Sequence, residues 1–226
     1  MIYTVTLNPS IDRTMHFRKL VIGELNRAAH SRLDLSGKGV NVSVALRQFG
    51  VETTALGIAA GNTGRALVDG LAAQGYTCDF IWVAGETRSN VTVIDEATGV
   101  TTKLNEPGPQ VTGRDLNAFE ELLLTQLQPG DLVVMSGSLP PGASPETYAR
   151  LIGVAKQRGA FAALDTSGAS LAPGCAAGPD FIKPNAIEAV ELVGRAFDTP
   201  AQWVEGLKAI LALGPKRVLL SLGSQG

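Results

Sequence analysis

Short apolar segments rich in Val, Ile and Leu alternate with longer amphipathic segments along this chain. In the second half, predicted strands at 132–135, 160–164, 181–182 and 217–220 are separated by predicted helices at 145–158, 186–193 and 201–213. Short buried strands connected by helices are typical of a mostly parallel sheet covered by helices on both faces. The sequence therefore predicts an α/β fold, and its 226 residues suit one domain, residues 1–226.

In the first half of the chain, predicted strands and helices also alternate, but additional segments of short strand lie between them. Residues 2–7 predict the first core strand, and the helical spacing of Val42, Ala45, Leu46 and Phe49 predicts a helix with that face buried. A strand at 53–59, a helix at 63–74 and a long helix capped by Thr112 are also predicted. Polar, loosely alternating residues around 17–35 and in segments 79–83, 90–95 and 100–104 indicate shorter strands, in part exposed.

Composition narrows the classes of partner. The formal net charge of −2 argues against nucleic acid or an anionic membrane as a partner. No apolar run approaches membrane-span length and the first residues lack signal-peptide features, so we expect a cytoplasmic protein. The two cysteines, Cys78 and Cys175, are expected to be reduced thiols. The two histidines, His16 and His30, form no metal-ligand spacing, so no histidine-based zinc site is predicted.

Small and polar residues follow the predicted strands. They are Asp12, the segment SGSLPPG at 136–142, DTSG at 165–168, KPN at 183–185 and SLGSQG at 221–226. Any one of these segments is an ordinary polar connection. In open α/β sheets, however, ligands bind beyond the carboxyl ends of the strands, and together these segments predict a binding site at that edge.

The segment Gly37-Lys38-Gly39 stands directly before the first predicted helix. It is not a Walker A loop, since Lys38 is followed by Gly rather than Ser or Thr, and it lacks the third glycine of a dinucleotide fingerprint. Backbone N–H groups at a helix start, beside an ammonium group, favour an anion or a polyhydroxylated ligand. A plain Gly-rich turn with a solvated lysine is the alternative.

Seven motifs occur in a fixed order along the chain. They are TLNPSIDR (6–13), SGKGVNVSVAL (36–46), TRSNVTV (87–93), KLNEPGP (103–109), VMSGSLPPG (134–142), IKPNAIEA (182–189) and SLGSQG (221–226). Over the whole chain they resemble the ribokinase-like sugar kinases of the phosphofructokinase B group, in the branch of the 1-phosphofructokinases and tagatose-6-phosphate kinases. The resemblance implies a ribokinase-like fold with a small β-strand lid, within residues 12–35 and 88–105, through which a homodimer forms.

The same resemblance implies ATP-dependent phosphoryl transfer, with Mg²⁺, to a primary hydroxyl of a ketohexose phosphate. TLNP and NEPGP favour conversion of fructose 1-phosphate to fructose 1,6-bisphosphate, and tagatose 6-phosphate is the alternative acceptor. The sugar-phosphate contacts carried over from the family are Asp12, Gly37, Lys38, Gly39, Asn41, Arg88, Lys103 and Ser138. The nucleotide contacts are Lys183, Asn185, Ser221, Gly223 and Gly226, and Asn185 with Glu188 would hold Mg²⁺ through water.

These side chains also have structural alternatives. Asp12 can stabilise the Asn8-Pro9 turn, Glu188 can be a first-turn helix charge, and Ser138 can close a turn. Arg88 and Lys103 can be solvated strand charges.

One family motif is missing. The family's catalytic base is an aspartate in a GAGD motif, and no such motif occurs in these 226 residues. We expect that aspartate to lie beyond Gly226, with the C-terminal part of the fold missing, so the 226-residue chain alone is expected to be inactive, as a fragment or a truncated product. A catalytically inactive sugar-phosphate-binding protein is the remaining alternative.

Overall fold

The computed structural model describes residues 1–223, which contain ten strands and seven α-helices. The strands are β1 (Ile2–Thr6), β2 (Ser10–Phe17), β3 (His30–Ser36), β4 (Thr54–Ala60), β5 (Thr77–Val83), β6 (Arg88–Asp95), β7 (Val100–Leu104), β8 (Leu132–Ser136), β9 (Phe161–Asp165) and β10 (Phe181–Ile182). The helices are α1 (Lys38–Gln48), α2 (Gly61–Ala73), α3 (Gly113–Gln126), α4 (Thr147–Gln157), α5 (Leu171–Ala176), α6 (Ala186–Val193) and α7 (Pro200–Ala212).

A six-stranded parallel sheet forms the centre of the molecule, in the order β10-β9-β8-β1-β4-β5. Alternate residues of β1 point to its two faces. Tyr3 and Val5 pack in a core with α3 and α4, whereas Thr4 faces α1 on the other side. On the α1 side, residues of β4 and β5 pack against α1 and α2. The predicted α/β fold with helices on both faces is confirmed.

A second sheet of four strands, in the order β3-β2-β6-β7, stands apart from the central one. β2 pairs antiparallel with β3 and parallel with β6, and β6 pairs antiparallel with β7. These strands overlap residues 12–35 and 88–105, where lid strands were expected. β2 begins earlier, at Ser10, and residues 18–29, expected to contain strand, form the β2-β3 connection instead. We call this second sheet the lid sheet.

The predicted buried face of α1 is wrong. Phe49 is 82% exposed, and the buried residues of the helix are Gly39, Val40 and Ser43. The reason is polar packing, since the Ser43 hydroxyl lies 2.7 Å from the Thr4 hydroxyl and accepts a hydrogen bond of 2.7 Å from Thr53. Of the predicted face, Val42 and Leu46 are half-buried and Ala45 and Phe49 are exposed, because small and hydroxyl-bearing residues form most of the contact with the sheet.

The predicted strand at 217–220 forms only isolated bridges among the described residues, which join Val218 to Ile182 and Ser221 to Asn185. Its partner β10 is two residues long, and Pro184, two residues after the end of β10, has no N–H to donate. A continuous ladder is therefore interrupted at this edge of the sheet.

The two cysteines and the hydropathy of the helices can be examined in the described residues. Cys78 and Cys175 are free, and burial raises the pKa of each thiol to about 11, so both are protonated at neutral pH. Within residues 1–223, no helix is both long and apolar enough to cross a membrane.

The glycines of the Gly-Lys-Gly segment let α1 approach β1 closely. A Cβ on Gly39 would lie 2.5 Å from the Thr6 hydroxyl oxygen and 2.5 Å from the Val5 carbonyl oxygen. Gly37 has a φ of 138°, and a Cβ there would lie 2.6 Å from the Thr6 methyl carbon. The helix start is thus pressed against the end of the first strand.

This contact predicts that Gly39→Ala lowers the free energy of unfolding by about 1–3 kcal/mol, because backbone atoms of β1 must move to admit the methyl group. Gly153→Ala in α4 is the matched control, since a Cβ there meets no atom within 4 Å and alanine favours helix by up to about 1 kcal/mol. Urea denaturation of both variants measures the difference. Equal stability of the two would show that the helix-strand contact is not tight.

Candidate functional site

The carboxyl ends of β1, β8, β9 and β10 lie side by side at one edge of the central sheet. Asp165, the last residue of β9, is the charged group at the centre of this edge. One of its carboxylate oxygens lies 3.4 Å from the Lys38 ammonium nitrogen, and the other lies 3.5 Å from that of Lys183. The structure therefore brings together a lysine from the Gly-Lys-Gly segment and a lysine from the Lys-Pro-Asn segment, which are far apart in sequence.

The start of α1 is fixed by a side chain of β1. The Val40 N–H donates a hydrogen bond of 3.0 Å to the Thr6 hydroxyl, and the N-cap, Gly37, has no side chain with which to cap the first turn. Lys38 is half-exposed at this turn, and Asn41, three residues on, is exposed on the same side of the helix. The two polar side chains can thus meet a ligand at the sheet edge.

The base of the lid sheet carries a second group of polar side chains. One oxygen of Asp12 accepts hydrogen bonds from the Ser10 hydroxyl at 2.7 Å and from the Asn90 amide at 2.9 Å. These partners are side chains, not the backbone of the Asn8-Pro9 turn. The Arg88 guanidinium donates to the Asn8 carbonyl at 2.9 Å, and burial lowers its pKa while the charge of Asp12 opposes that shift.

Strand register places these groups on one face of the lid sheet. Asp12 lies opposite Asn90, Ser10 lies opposite Arg88, and Lys103 lies opposite Thr92. Positions two apart along a strand share a face. Asp12, Arg88 and Lys103, which the family resemblance implied as sugar-phosphate contacts, therefore share one face, with Lys103 exposed on β7, toward the outer edge of the sheet.

Several buried polar atoms at this site have no hydrogen-bond partner among the described residues. They are Arg88 Nε, Asn90 Oδ1, Asn8 Oδ1 and, at the end of β8, Ser136 Oγ. Leaving such an atom buried and unpaired costs about 1–3 kcal/mol, so most buried polar groups in proteins are paired. The set contains both donors and acceptors, which matches a ligand rich in hydroxyl groups and carrying a negative charge.

A cleft of about 520 Å³ opens beside these atoms. Its lining includes Asn8 and Arg88 from the lid side and Ser138 from the loop after β8, together with Ser167 from the loop after β9. The cleft is large enough for a small ligand. Ser138 and Arg88, both predicted as sugar-phosphate contacts, thus face the same space.

Asn185 and Glu188 form a reciprocal cap at the start of α6. The Glu188 N–H donates to the Asn185 side-chain oxygen at 3.0 Å, and the Asn185 N–H donates to Glu188 Oε2 at 2.8 Å. Glu188 is buried; its Oε1 atom lies outside this pair, and the Asn185 side-chain oxygen keeps a second lone pair that can accept. The alternative structural role of Glu188 is thus present, and carboxylate and amide oxygens are also ligands that suit hydrated Mg²⁺.

Ser221 lies beside this cap. Its N–H donates to the Pro184 carbonyl at 3.1 Å, and it forms a parallel bridge with Asn185. Gly223 has a φ of 63° and is exposed, and Gly226 lies outside the described residues. Lys183, Asn185 and Ser221, predicted as nucleotide contacts, are therefore neighbours at the sheet edge.

The sequence analysis gave no individual role to three side chains at this site. Asn8 and Asn90 lie within the motifs TLNPSIDR and TRSNVTV, and Asp165 directly follows the predicted strand at 160–164. Their positions beside the other predicted contacts could have indicated a role in the site. Nothing in the spacing showed that Asp165 would lie between Lys38 and Lys183.

Comparison with known proteins agrees with this arrangement. The model of the pfkB family carbohydrate kinases matches residues 5–226. The 1-phosphofructokinase of Bacillus subtilis is 36% identical over 226 residues, covering 100% of this chain and 73% of that protein. That of Xanthomonas campestris is 36% identical over 230 residues, covering 99% of this chain and 71% of that protein.

A solved structure shows the same likeness in three dimensions. Phosphofructokinase-2 from Escherichia coli in complex with fructose-6-phosphate superposes with a TM-score of 0.93 at 33% identity, covering 100% of this chain and 75% of that one. Both the fold and the sequence over nearly the whole chain thus agree with the motifs. This chain belongs to the pfkB family of carbohydrate kinases.

Proposed function

We propose that this chain supplies the sugar-phosphate site and part of the nucleotide site of a 1-phosphofructokinase, which phosphorylates fructose 1-phosphate to fructose 1,6-bisphosphate with ATP. The observation that carries the proposal is the group of unpaired buried donors and acceptors around Asp12 and Arg88 in the described part of the chain. The names of the curated relatives from Bacillus subtilis and Xanthomonas campestris support the choice of substrate. Because the reaction consumes ATP, we place it in the cytoplasm.

The sugar phosphate would lie between the lid sheet and the edge of the central sheet. Asp12 would accept hydrogen bonds from sugar hydroxyls through its second carboxylate oxygen, and Arg88 would grip phosphate oxygens with the N–H groups not bonded to Asn8. Lys103 would add a point charge. Lys38, Asn41 and Ser138 would contact the remaining polar groups, with Gly37 and Gly39 keeping the helix start close to the ligand.

The nucleotide phosphates would lie beside Lys183 and the backbone of residues 221–226. Mg²⁺, when bound, neutralises charge on those phosphates. Asn185 and the free carboxylate oxygen of Glu188 would hold its water ligands. The reciprocal cap fixes both side chains in orientation before any ligand arrives.

Two further acceptors and a non-catalytic role compete with this proposal. The Escherichia coli phosphofructokinase-2 structure contains fructose-6-phosphate, which favours that sugar as a second candidate. Tagatose 6-phosphate is a third candidate acceptor, and sugar-phosphate binding without turnover is the competing role. Calorimetry of the 226-residue chain with the three sugar phosphates ranks the acceptors. Because these 226 residues contain no GAGD motif, binding without turnover is expected of this chain, and turnover with Mg²⁺-ATP would contradict that expectation. Preference for fructose 6-phosphate or tagatose 6-phosphate would contradict the proposed substrate.

Arg88→Gln is expected to weaken fructose 1-phosphate binding about 10- to 100-fold, because it removes charge-assisted hydrogen bonds to the phosphate. Lys103→Gln is expected to have a smaller effect, since Lys103 is exposed on β7 at the edge of the lid sheet. Isothermal titration calorimetry measures both. Arg114→Gln, the same charge change at an exposed position of α3, is the control and should bind as the parent does. Equal affinity of Arg88→Gln and the control would remove Arg88 from the site.

Glu188 provides a test that separates its structural role from its proposed metal role. Glu188→Ala loses the reciprocal cap and should lower stability by about 0.5–2 kcal/mol. Glu188→Gln keeps an oxygen that can accept from the Asn185 N–H, so it should keep most of that stability while weakening Mg²⁺-dependent ATP binding. Urea denaturation and ATP titration with and without Mg²⁺ measure the two effects. Unchanged Mg²⁺ dependence in Glu188→Gln would refute the metal role.

We also propose that two copies pair through the lid sheet. Leu33 and Leu104 are 56% and 57% exposed, and register through Arg13 and Val91 places them on the face opposite Asp12. Val91 lies opposite Leu104 on the same face, and contiguous apolar surface on a sheet face is typical of an interaction site. A solved structure of a tetrameric phosphofructokinase-2 shows that a related chain self-associates.

The expected result is that Leu33→Ser with Leu104→Ser shifts the chain from dimer to monomer in light scattering, because the apolar contact between copies is lost. Phe49→Ser is the control, since Phe49 is exposed at the far end of α1, away from the lid sheet. A monomeric parent chain, or a double variant that stays dimeric, would contradict the lid interface.

A further inference from the structure

The far end of the lid sheet holds a cluster that the proposed reaction does not use. His16 and His30 lie directly opposite each other in the β2-β3 pairing, and their rings stack with centroids 4.2 Å apart and planes inclined by 23°. Glu96 Oε1 lies 3.5 Å from His16 Nδ1. These are the two histidines of the chain, brought together by strand pairing although they are separated in sequence by the whole β2-β3 connection.

Backbone hydrogen bonds fix the positions of these three residues. The Ala29 N–H donates to the His16 carbonyl at 2.8 Å, and the Glu96 N–H donates to the Phe17 carbonyl at 2.9 Å. β2 thus holds the start of β3 on one side and the residue after β6 on the other. The three side chains converge because three separate segments are in register, not because one flexible loop folds back.

The donor atoms have the chemistry and the spacing of an incomplete metal site. One ligand atom from each of the three side chains can be chosen so that all lie within 4.8 Å of one another. Ligand atoms about 2.0–2.1 Å from a tetrahedral ion lie roughly 3.3 Å from one another. Side-chain rotation that moves the ligand atoms of these partly exposed residues by about an ångström would therefore bring them to that spacing. His16 is 30% exposed and Glu96 is 41% exposed, so solvent can reach the cluster and supply a fourth ligand.

We propose that His16, His30 and Glu96 bind one divalent transition-metal ion, with Zn²⁺ as the ion that this ligand set fits best. Two imidazoles and one carboxylate suit Zn²⁺, whereas Mg²⁺ prefers an all-oxygen shell. This site is separate from Asn185 and Glu188 and does not rest on the proposed function.

The bound ion would join the tips of three lid strands. His16 lies near the outer end of β2, His30 begins β3, and Glu96 directly follows β6. Cross-linking them would restrain the β2-β3 connection, residues 18–29, and we expect the ion to slow amide exchange there. It would act on the stability of the lid sheet, at the opposite end from Asp12 and Arg88.

The presence of two histidines makes the test direct. In a Zn²⁺ titration of the 226-residue chain followed by NMR of the imidazole groups, both ring systems should change together and saturate at one ion per chain. Calorimetry should give a single matching site. His30→Gln and Glu96→Gln should each weaken Zn²⁺ binding at least about tenfold, and His16→Gln with His30→Gln should abolish it.

Matched variants control for the change of charge and for the thiol. Glu24→Gln makes the same charge change at an exposed position of the β2-β3 connection and should bind as the parent does. The titrations use a Cys78→Ser background, so that the partly buried thiol cannot supply the signal, and circular dichroism confirms that each variant is folded. Absence of stoichiometric Zn²⁺ binding, a change in one ring alone, or unchanged affinity in His30→Gln would overturn the proposal.

Discussion

The contact between the end of β1 and the start of α1 determines where the rest of the site lies. The Thr6 hydroxyl accepts the Val40 N–H, and Gly39 has no side chain to keep the helix away from the strand. A single methyl group at Gly39 would meet backbone atoms of β1. Because this hydrogen bond and the close approach at Gly39 hold the helix start against the strand, Lys38 lies at the sheet edge beside the last residue of β9, where the strand ends supply the other polar groups.

Packing against β1 therefore explains the two glycines of the Gly-Lys-Gly segment without a ligand. Two glycines around a lysine suggest, in the sequence, close approach of a bound molecule. In the structure, the groups approached are first of all β1 backbone and the Thr6 side chain. Packing of this kind and ligand binding are compatible, since both need the helix start at the carboxyl end of the strands. The same holds for the cap of α6, where Asn185 and Glu188 bond each other and still leave an oxygen of Glu188 free.

The fold was predictable because its signal is spread over many residues. Alternating apolar segments predicted the parallel sheet, and the ordered motifs predicted which loops meet at its edge. Details that depend on a few side chains were not predictable. The predicted buried face of α1 was wrong because Ser43 packs through its hydroxyl. The helix at Leu171–Ala176 was not predicted, because it contains Pro173 and Gly174, which are residues typical of helix ends and loops. His16 and His30 meet through strand register, which spacing along the chain cannot reveal.

Asp165 links the two halves of the proposed reaction through ordinary electrostatics. Its distances of 3.4 and 3.5 Å to Lys38 and Lys183 and the partial exposure of both lysines make each ion pair weak. A weak ion pair orients each ammonium group but leaves it able to change partner. Phosphate oxygens can therefore compete with the Asp165 carboxylate for both lysines. The loop that follows β8 beside Asp165 is itself held firmly, because the buried Tyr148 hydroxyl and the Thr166 hydroxyl both donate to the Gly137 carbonyl. Burial and the Asp165 charge raise the pKa of Tyr148, which therefore remains a neutral donor. A rigid loop beside two ammonium groups that phosphate oxygens can reach suits the binding of anionic ligands at this edge of the sheet.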